Sequence, residues 1–450
     1  CKELGKSIGT PIVYKLTSML LKTIGFCLAK TPDNFLAAIA MAGGHALVAV
    51  PNPRRRILLS NLKRAFPEWS EKRILRVARQ SAAGMVEMGL FSLAYPCMSE
   101  RRMRRILSFS PEAERKMREL RRSSEPVVVV IPHVALFETV AASPLFGPGG
   151  TKKLGGIYRP HRNPAIEEWI LQARERSGTR MFARDKALIG AKSHLLGNSW
   201  LAILFDQNAG RNGTLITFFD RLASATPLPG ILAKGTKARA VFALPERKSF
   251  FRATLFLKEM KGKDPNALIA ESHELLEKHL RSSEQACAEW LWAHGRWKTR
   301  VHWKRCLRLE AKRQNLPPLE AFPRKTKFWI RLPNWLGDVV MALPLLRVLR
   351  VARPDAELTL LCRPQFRPLL ELLEIGDVVK GLPEKNSWNY YCEFFSLRKE
   401  FPDLHLLLTN SLRGDLEAFL IGALQRFGLR LPRKPRPLLT NTYRPSHEIL

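Results

Sequence analysis

The sequence predicts an α/β protein of two successive strand–helix regions, preceded by an apolar helical segment. Three observations carry this. Short apolar runs bounded by polar or turn residues occur at 127–131, 154–158 and 200–205, and the first, V-V-V-V-I, has the composition of a strand buried on both faces. Helical periodicity separates such runs, the alternation expected of a parallel sheet with helical crossovers. After a basic stretch carrying three prolines, the same alternation restarts at Phe328.

The chain has 450 residues, too long for one ordinary core, and 46% hydrophobic residues, enough for folded domains. The expected division is a helical segment at 1–50, an α/β domain at 51–310, a linker at 311–326 and a second α/β region at 327–450. The opening residue is Cys1, so the natural start is expected to lie upstream; no cleavable signal pattern is present. Seven cysteines stand singly with no C-x-x-C pair, which fits neither a disulfide framework nor a zinc site and favours a reducing compartment.

A formal net charge of +34 implies an anionic partner. No helix-turn-helix pattern, zinc-finger spacing or aromatic RNP-like strand accompanies it, so nucleic acid is not expected. An anionic membrane or a phosphorylated lipid fits better, because each basic residue near such a surface adds roughly 1 kcal/mol of attraction. The first fifty residues agree. Ile12 to Ala29 reads as a helix with Lys15 and Lys22 on one face and Leu16, Met19, Leu20 and Ile24 elsewhere, a pattern suited to lying in the membrane interface. Phe35 to Val50 is more apolar but shorter than the roughly 20 residues of a span. Monotopic attachment is the expectation.

Arg54 to Tyr95 follows as helix with a turn at Phe66-Pro67-Glu68, and Ser70 caps the periodic run Ile74, Val77, Ala78, Ser81. The strand at 127–131 ends at Pro132, which lacks an N–H for the ladder. His133 therefore falls at the strand's carboxyl end, where open α/β sheets bind ligands. A helix is expected over Val134–Ala142, stopped by Pro144, with Glu138 one turn in. Glu138 can hold one ring nitrogen of His133, leaving the other to take a proton from a hydroxyl. Arg159 follows the next strand and offers a permanent positive charge to an oxyanion or phosphate. Asp206 and Gln207 end the third. A loop histidine and a salt-bridged arginine are the bland readings of the same residues. No G-x-S-x-G elbow and no H-E-x-x-H occurs, so neither a serine triad nor a metal or other cofactor is expected.

These segments together carry a resemblance. P-R-R-R-I-L-L-S-N-L-K-R-A-F-P (53–67), H-x-x-x-x-E, I-Y-R-P, L-F-D-Q-N, T-F-F-D and A-E-W-L-W-A-H-G-R-W-K-T-R (288–300) resemble the bacterial lipid A biosynthesis acyltransferases, over about 16–303. The resemblance implies transfer of a fatty acyl chain from an acyl thioester, with acyl carrier protein as donor, to a hydroxyl of a lipid A precursor at the cytoplasmic face of the bacterial inner membrane. It makes His133 and Glu138 the catalytic dyad, with Arg159 beside them. It makes Asp206, Gln207, Arg296, Lys298 and Arg300 substrate-binding. Many members read H-x-G-N-W-E, where this chain has Val134, Ala135, Leu136 and Phe137. The family's F-F-G is Phe218-Phe219-Asp220 here. A glycerolipid acyltransferase is the nearest enzyme alternative, but those usually carry N-H-x-x-x-x-D, against Pro132 and Glu138 in this chain. An inactive membrane scaffold is the alternative from another class.

The second region is expected to place strands at 328–332, 357–362, 378–382 and 404–409, with helices at 335–351, 365–373, 388–399 and 412–427, a Rossmann-like half-domain. Its opening I-R-L-P-N-W-L-G-D-V-V-M-A-L-P-L-L-R-V-L-R resembles the amino-terminal half of ADP-heptose:lipopolysaccharide heptosyltransferases, two-domain GT-B glycosyltransferases. By that resemblance Asp338 stands where the acceptor-side base does. About 120 residues follow the linker, enough for one half only, so this region is expected to be incomplete, and inactive in heptose transfer, as it stands.

Overall fold

The computed structural model describes residues 10–444 except Ala135, 143–152, Ser177, 185–186, Lys263, 314–315, Arg324, 385–388 and Arg433. Pro144 as a helix stop, Trp388 as a helix start and the closing His447–Leu450 fall outside the described residues. The chain forms two compact units: 1–59 with 68–216 and 225–295, and 60–67 with 217–224 and 296–450. Compactness thus divides the chain at Arg296 rather than at 310, and assigns the expected linker and two short earlier segments to the second unit.

The first unit holds a seven-stranded sheet made of β1 (Leu107–Phe109), β2 (Val127–Ile131), β3 (Leu154–Tyr158), β4 (Arg180–Ala183), β5 (Trp200–Leu204), β8 (Arg239–Ser249) and β9 (Arg252–Glu259). A separate hairpin pairs β6 (Thr214–Phe218) with β7 (Arg221–Ala225). The sheet order is β1-β9-β8-β2-β5-β3-β4, parallel throughout except for the antiparallel β8–β9 pair. All five residues of β2 are buried, as its composition demands, and it lies between β5 and β8. Val127, Val129 and Ile131 pack in one core with Phe91, Tyr95, Leu136 and Val140. At about 1.5–3 kcal/mol per fully buried aliphatic side chain, this strand anchors whatever follows it.

Three long helices open the unit, at Thr10–Lys30, Asp33–Ala49 and Glu71–Ala94. The second and third pack so closely at Gly44 that a Cβ there would lie 2.4 Å from the backbone nitrogen of Ala83. Ser70 caps the third, its hydroxyl accepting from the Arg73 N–H. Val13, Leu16, Met19, Leu20, Phe26 and Phe35 remain exposed. Among the described residues no single helix is long and apolar enough to cross a membrane. After β2 the expected nine-residue helix is shorter: Leu136 takes a left-handed φ of 59°, and the helix runs only from Glu138 to Ala142.

The second unit carries a six-stranded sheet, parallel throughout: β10 (Thr326–Arg331), β11 (Ala356–Cys362), β12 (Val378–Gly381), β13 (Leu404–Leu407), β14 (Gln425–Leu429) and β15 (Asn441–Tyr443). Its order, β12-β11-β10-β13-β14-β15, is the doubly wound 3-2-1-4-5-6 arrangement. The helix expected to run to Phe427 stops at Ile421, because Gly422 adopts a left-handed C-cap with φ 71° and frees the chain to form β14. Buried Asp403 gathers Arg64 Nε at 2.8 Å, Arg221 at 3.0 Å and the Lys327 N–H at 2.9 Å. It thereby ties residues 60–67 and 217–224 to this sheet. The turn Phe219-Asp220 has φ of 52° and 57°, a tight hairpin geometry, and the buried Phe219 ring packs on Phe66 at 5.2 Å.

Candidate active site

β2 and β5 are adjacent and parallel, with Ile131 opposite Leu204. His133 and Asp206 each lie two residues beyond that pair, so the register delivers both to the same sheet edge. The Asp206 carboxylate, 1% exposed, accepts three hydrogen bonds. Oδ1 takes His133 Nδ1–H at 2.6 Å, and Oδ2 takes the His133 backbone N–H at 2.9 Å and Trp290 Nε1–H at 2.5 Å. Burial alone would raise this carboxyl, but the charge and hydrogen bonds of His133, with the Trp290 donor, outweigh it and hold Asp206 below the usual carboxylate range. Leu291 N–H donates to the His133 carbonyl at 3.1 Å, and Phe137 lies against the imidazole at 4.9 Å.

A carboxylate only accepts, so Nδ1 carries the proton and Nε2 presents a lone pair. The Gln207 amide stands 3.0 Å from Nε2 and donates to it. Nε2 opens on a cavity of about 420 Å³ lined also by Phe137, Glu138, Arg159 and Arg174. Arg159 is exposed, directly after β3. Tyr158 donates to Glu167 at 2.6 Å; desolvation and that bond push its hydroxyl up to about 12.

The carboxylate on the imidazole is therefore that of Asp206, not that of Glu138. Glu138 opens its short helix and faces Arg174, with Arg174 Nε at 3.0 Å from Oε2 and NH2 at 2.5 Å from Oε1. Desolvation lowers the Arg174 pKa, but the Glu138 charge and bond outweigh it and hold the guanidinium above its ordinary value. His133, Glu138, Arg159 and Gln207 line one cavity, with Asp206 directly behind the imidazole.

The basic tail, expected to bind substrate, makes its described contacts within its own unit. Arg296 is buried, donates to the Ser224 carbonyl and lies over Phe218 at 5.5 Å. Arg300, 4% exposed, pairs with Glu310 at 2.9 Å and Asp355 at 3.4 Å. Lys298 is exposed, and its carbonyl accepts from Gln425 at 2.8 Å. None of the three lines the cavity. Asp338 is exposed in the first turn of Leu336–Ala352, beyond β10 in the second unit. Among the described residues no group of three His, Cys, Asp or Glu side chains is arranged to hold a metal. Trp290 and Arg174 are the site residues that sequence reasoning did not single out. The sequence put both His133 and Asp206 just past apolar strands; their equal two-residue offset emerges only because β5 ends at Leu204, one residue before the expected Phe205.

A histidine held in one tautomer by a buried carboxylate thus faces a cleft at the carboxyl edge of a mainly parallel α/β sheet. The family model of the bacterial lipid A biosynthesis acyltransferases matches residues 9–299, and the chain belongs to that family. It is thereby a transferase, with acyl transfer in lipid A synthesis as the activity its family carries. No curated protein matches the chain. Among solved structures, the chain is similar to E. coli ADP-heptose lps heptosyltransferase II at 24% identity and TM-score 0.25, over 27% of this chain. It is similar also to the glycosyl transferase family 9 from Veillonella parvula DSM 2008 at 22% identity and TM-score 0.24, over 26%. In both cases the chain spans 36% of the other protein's length.

Proposed function

We propose that the first unit transfers a fatty acyl chain from an acyl thioester, with acyl carrier protein as carrier, to a hydroxyl of a lipid A precursor, with His133 as general base. The observation that carries this is the fixed tautomer: Nδ1 keeps its proton and donates it in a hydrogen bond to Asp206, so Nε2 faces the cavity ready to accept one. The acceptor hydroxyl takes the place of the Gln207 amide at Nε2. As its oxygen attacks the thioester carbonyl carbon, its proton moves to Nε2 and the carbonyl electron pair moves onto oxygen. Arg159, at the cavity rim, neutralises that oxyanion. Collapse restores the carbonyl, breaks the carbon–sulfur bond, and the departing thiolate recovers the proton from the imidazolium. General-base assistance of this kind is worth about 10²- to 10⁴-fold. The Glu138–Arg174 pair shapes the cavity wall beside the base.

The exposed apolar residues of Thr10–Lys30 and Asp33–Ala49, with the +34 charge, support attachment to the cytoplasmic face of an anionic inner membrane. For residues 327–450 we propose the acceptor-side half of a heptosyltransferase, supported by the G-D loop after β10 and the doubly wound strand order. Purified protein, a Kdo-lipid A precursor and a mixture of acyl donors of different chain length, with mass analysis of the product, is the test. His133→Ala, folded by circular dichroism, is expected to lose nearly all transfer. Retention of more than about a tenth of wild-type kcat overturns the base assignment, given the usual size of such effects. Acylation of lysophospholipid instead of the lipid A precursor would favour the glycerolipid alternative, and no transfer at all the scaffold.

A further inference from the structure

A second cavity of the first unit, about 470 Å³, shares no lining residue with the His133 cleft. It lies where the helix Thr10–Lys30 ends, and five cationic side chains meet there: Lys30, Arg101, Arg102, Arg105 and Arg252. One carboxylate, Asp33, accompanies them. Arg102 is the floor. It donates to the carbonyls of Ala29 and Thr31, closing the end of the helix, and to Asp33 at 2.5 Å. That bond matches its charge. Arg252 reaches the same carboxylate only at 3.9 Å. Lys30 stands over the Phe26 ring at 5.8 Å. Arg101 and Arg105 have no anionic partner among the described residues.

What marks the groove is that four arginines and a lysine share one carboxylate there, whereas several arginines elsewhere in the unit each have a carboxylate of their own. Arg239 takes Glu119 and Glu259, Arg247 takes Glu87, and Arg174 takes Glu138. Like charges converging on one concavity repel unless an anion enters it. The neighbourhood indicates which anion. Phe26, one turn before Lys30, is 57% exposed, and Leu20 and Phe35 on the same two helices are also exposed. A polar, cationic groove therefore opens where an exposed apolar helix face stops, the layout of a headgroup site beside acyl chains.

We propose that this groove binds the phosphate group of an anionic membrane lipid whose chains lie along the exposed side of Thr10–Lys30. The inference goes beyond the acyl-transfer reading and does not depend on His133. The test is partition of the full chain between buffer and vesicles of phosphatidylcholine with or without phosphatidylglycerol. Arg101→Gln with Arg105→Gln is compared with Lys258→Gln and Lys278→Gln, two exposed cations elsewhere in the unit that remove the same charge. The groove variant is expected to lose about thirtyfold in affinity for the anionic vesicles, the factor for two cations at an anionic surface. The control should lose less than about threefold, since neither of its cations lines the groove. Equal losses in both overturn the proposal, because bulk charge then explains the binding. Titration with inorganic phosphate is the second arm: a groove-dependent phosphate response without any change in vesicle binding makes this a free-anion site and overturns the lipid assignment. Loss of binding to an acidic carrier protein, with vesicle affinity kept, assigns the groove to a protein partner and overturns it too.

Discussion

Asp206→Asn separates a base held by Asp206 from one held by Glu138. The native carboxylate receives three donors, one on Oδ1 and two on Oδ2. An asparagine has a single acceptor oxygen. Placed at the Oδ2 position, it keeps the His133 backbone N–H and the Trp290 indole N–H, and its NH2 group then faces Nδ1. The imidazole must answer with a lone pair there, so its proton moves to Nε2, the atom that has to accept one. The alternative orientation puts an NH2 against two N–H donors and costs about 1–3 kcal/mol for each donor left unpaired. The first orientation wins, and the protein stays folded in the wrong tautomer. The expected result is a kcat lower by about 10²- to 10⁴-fold, or roughly 3–5 kcal/mol of barrier, with KM and melting temperature near wild type. Steady-state acyl transfer across a pH series checks it, because a merely structural role for Asp206 would lower stability and leave the base limb of kcat/KM in place. A folded variant within about fivefold of wild-type kcat refutes the tautomer argument.

Three further outcomes follow from the same geometry. Glu138→Gln breaks the ion pair with Arg174 but not the Asp206–imidazole bond, so it should reduce kcat less than Asp206→Asn and raise KM; an equal or larger kcat loss returns the dyad to His133 and Glu138. Burial pushes the Glu289 carboxyl up to about 7, against the charge and N–H of Arg247, from an ordinary value of 4.5. Its folded pKa is the higher one, so its stabilisation is full below 4.5 and lost as pH rises through about 7, a span worth about 3 kcal/mol. Glu289→Gln should therefore flatten the fall in melting temperature between about pH 5 and 8, and an unchanged slope refutes it. Asp403→Ala leaves Arg64 and Arg221 buried without their carboxylate and should cost about 3–5 kcal/mol in urea unfolding of the second unit; a loss under about 1 kcal/mol would mean water reaches them.

Much of the scaffold could be read from the sequence because its signals are local. Val127–Ile131 can be little else than a buried strand, and Pro132 fixes its end. Ser70 announces the helix it caps. The partner of His133 is a different kind of fact. Glu138 is five residues away and Asp206 seventy-three, yet sheet order puts β5, not the following helix, next to β2. Chain proximity favoured the wrong carboxylate because strand adjacency is set by the whole sheet. The missed β14 has a smaller cause: Leu412–Phe427 is apolar enough for one long helix, and a single left-handed Gly422 ends it.

The charge shows most clearly why composition and structure carry different information. A net +34 says that cations outnumber anions; it does not say which cations are spare. In the second unit Arg64, Arg221, Arg300 and Arg331 are buried against Asp403, Asp355, Glu310 and Glu417, and removing one partner would strand a desolvated charge. Those arginines are engaged by carboxylates within their own unit. The family resemblance assigned Arg296, Lys298 and Arg300 to substrate without reference to their partners, and the carboxylates that neutralise Arg300 lie ten and fifty-five residues further on. Lys30, Arg101 and Arg105 are the converse case. They come to one groove from two places in the chain, and the single carboxylate there is already committed to Arg102. An attraction for anionic lipid should accordingly depend on those few residues far more than on the total, and the paired charge-removal variants measure that difference directly.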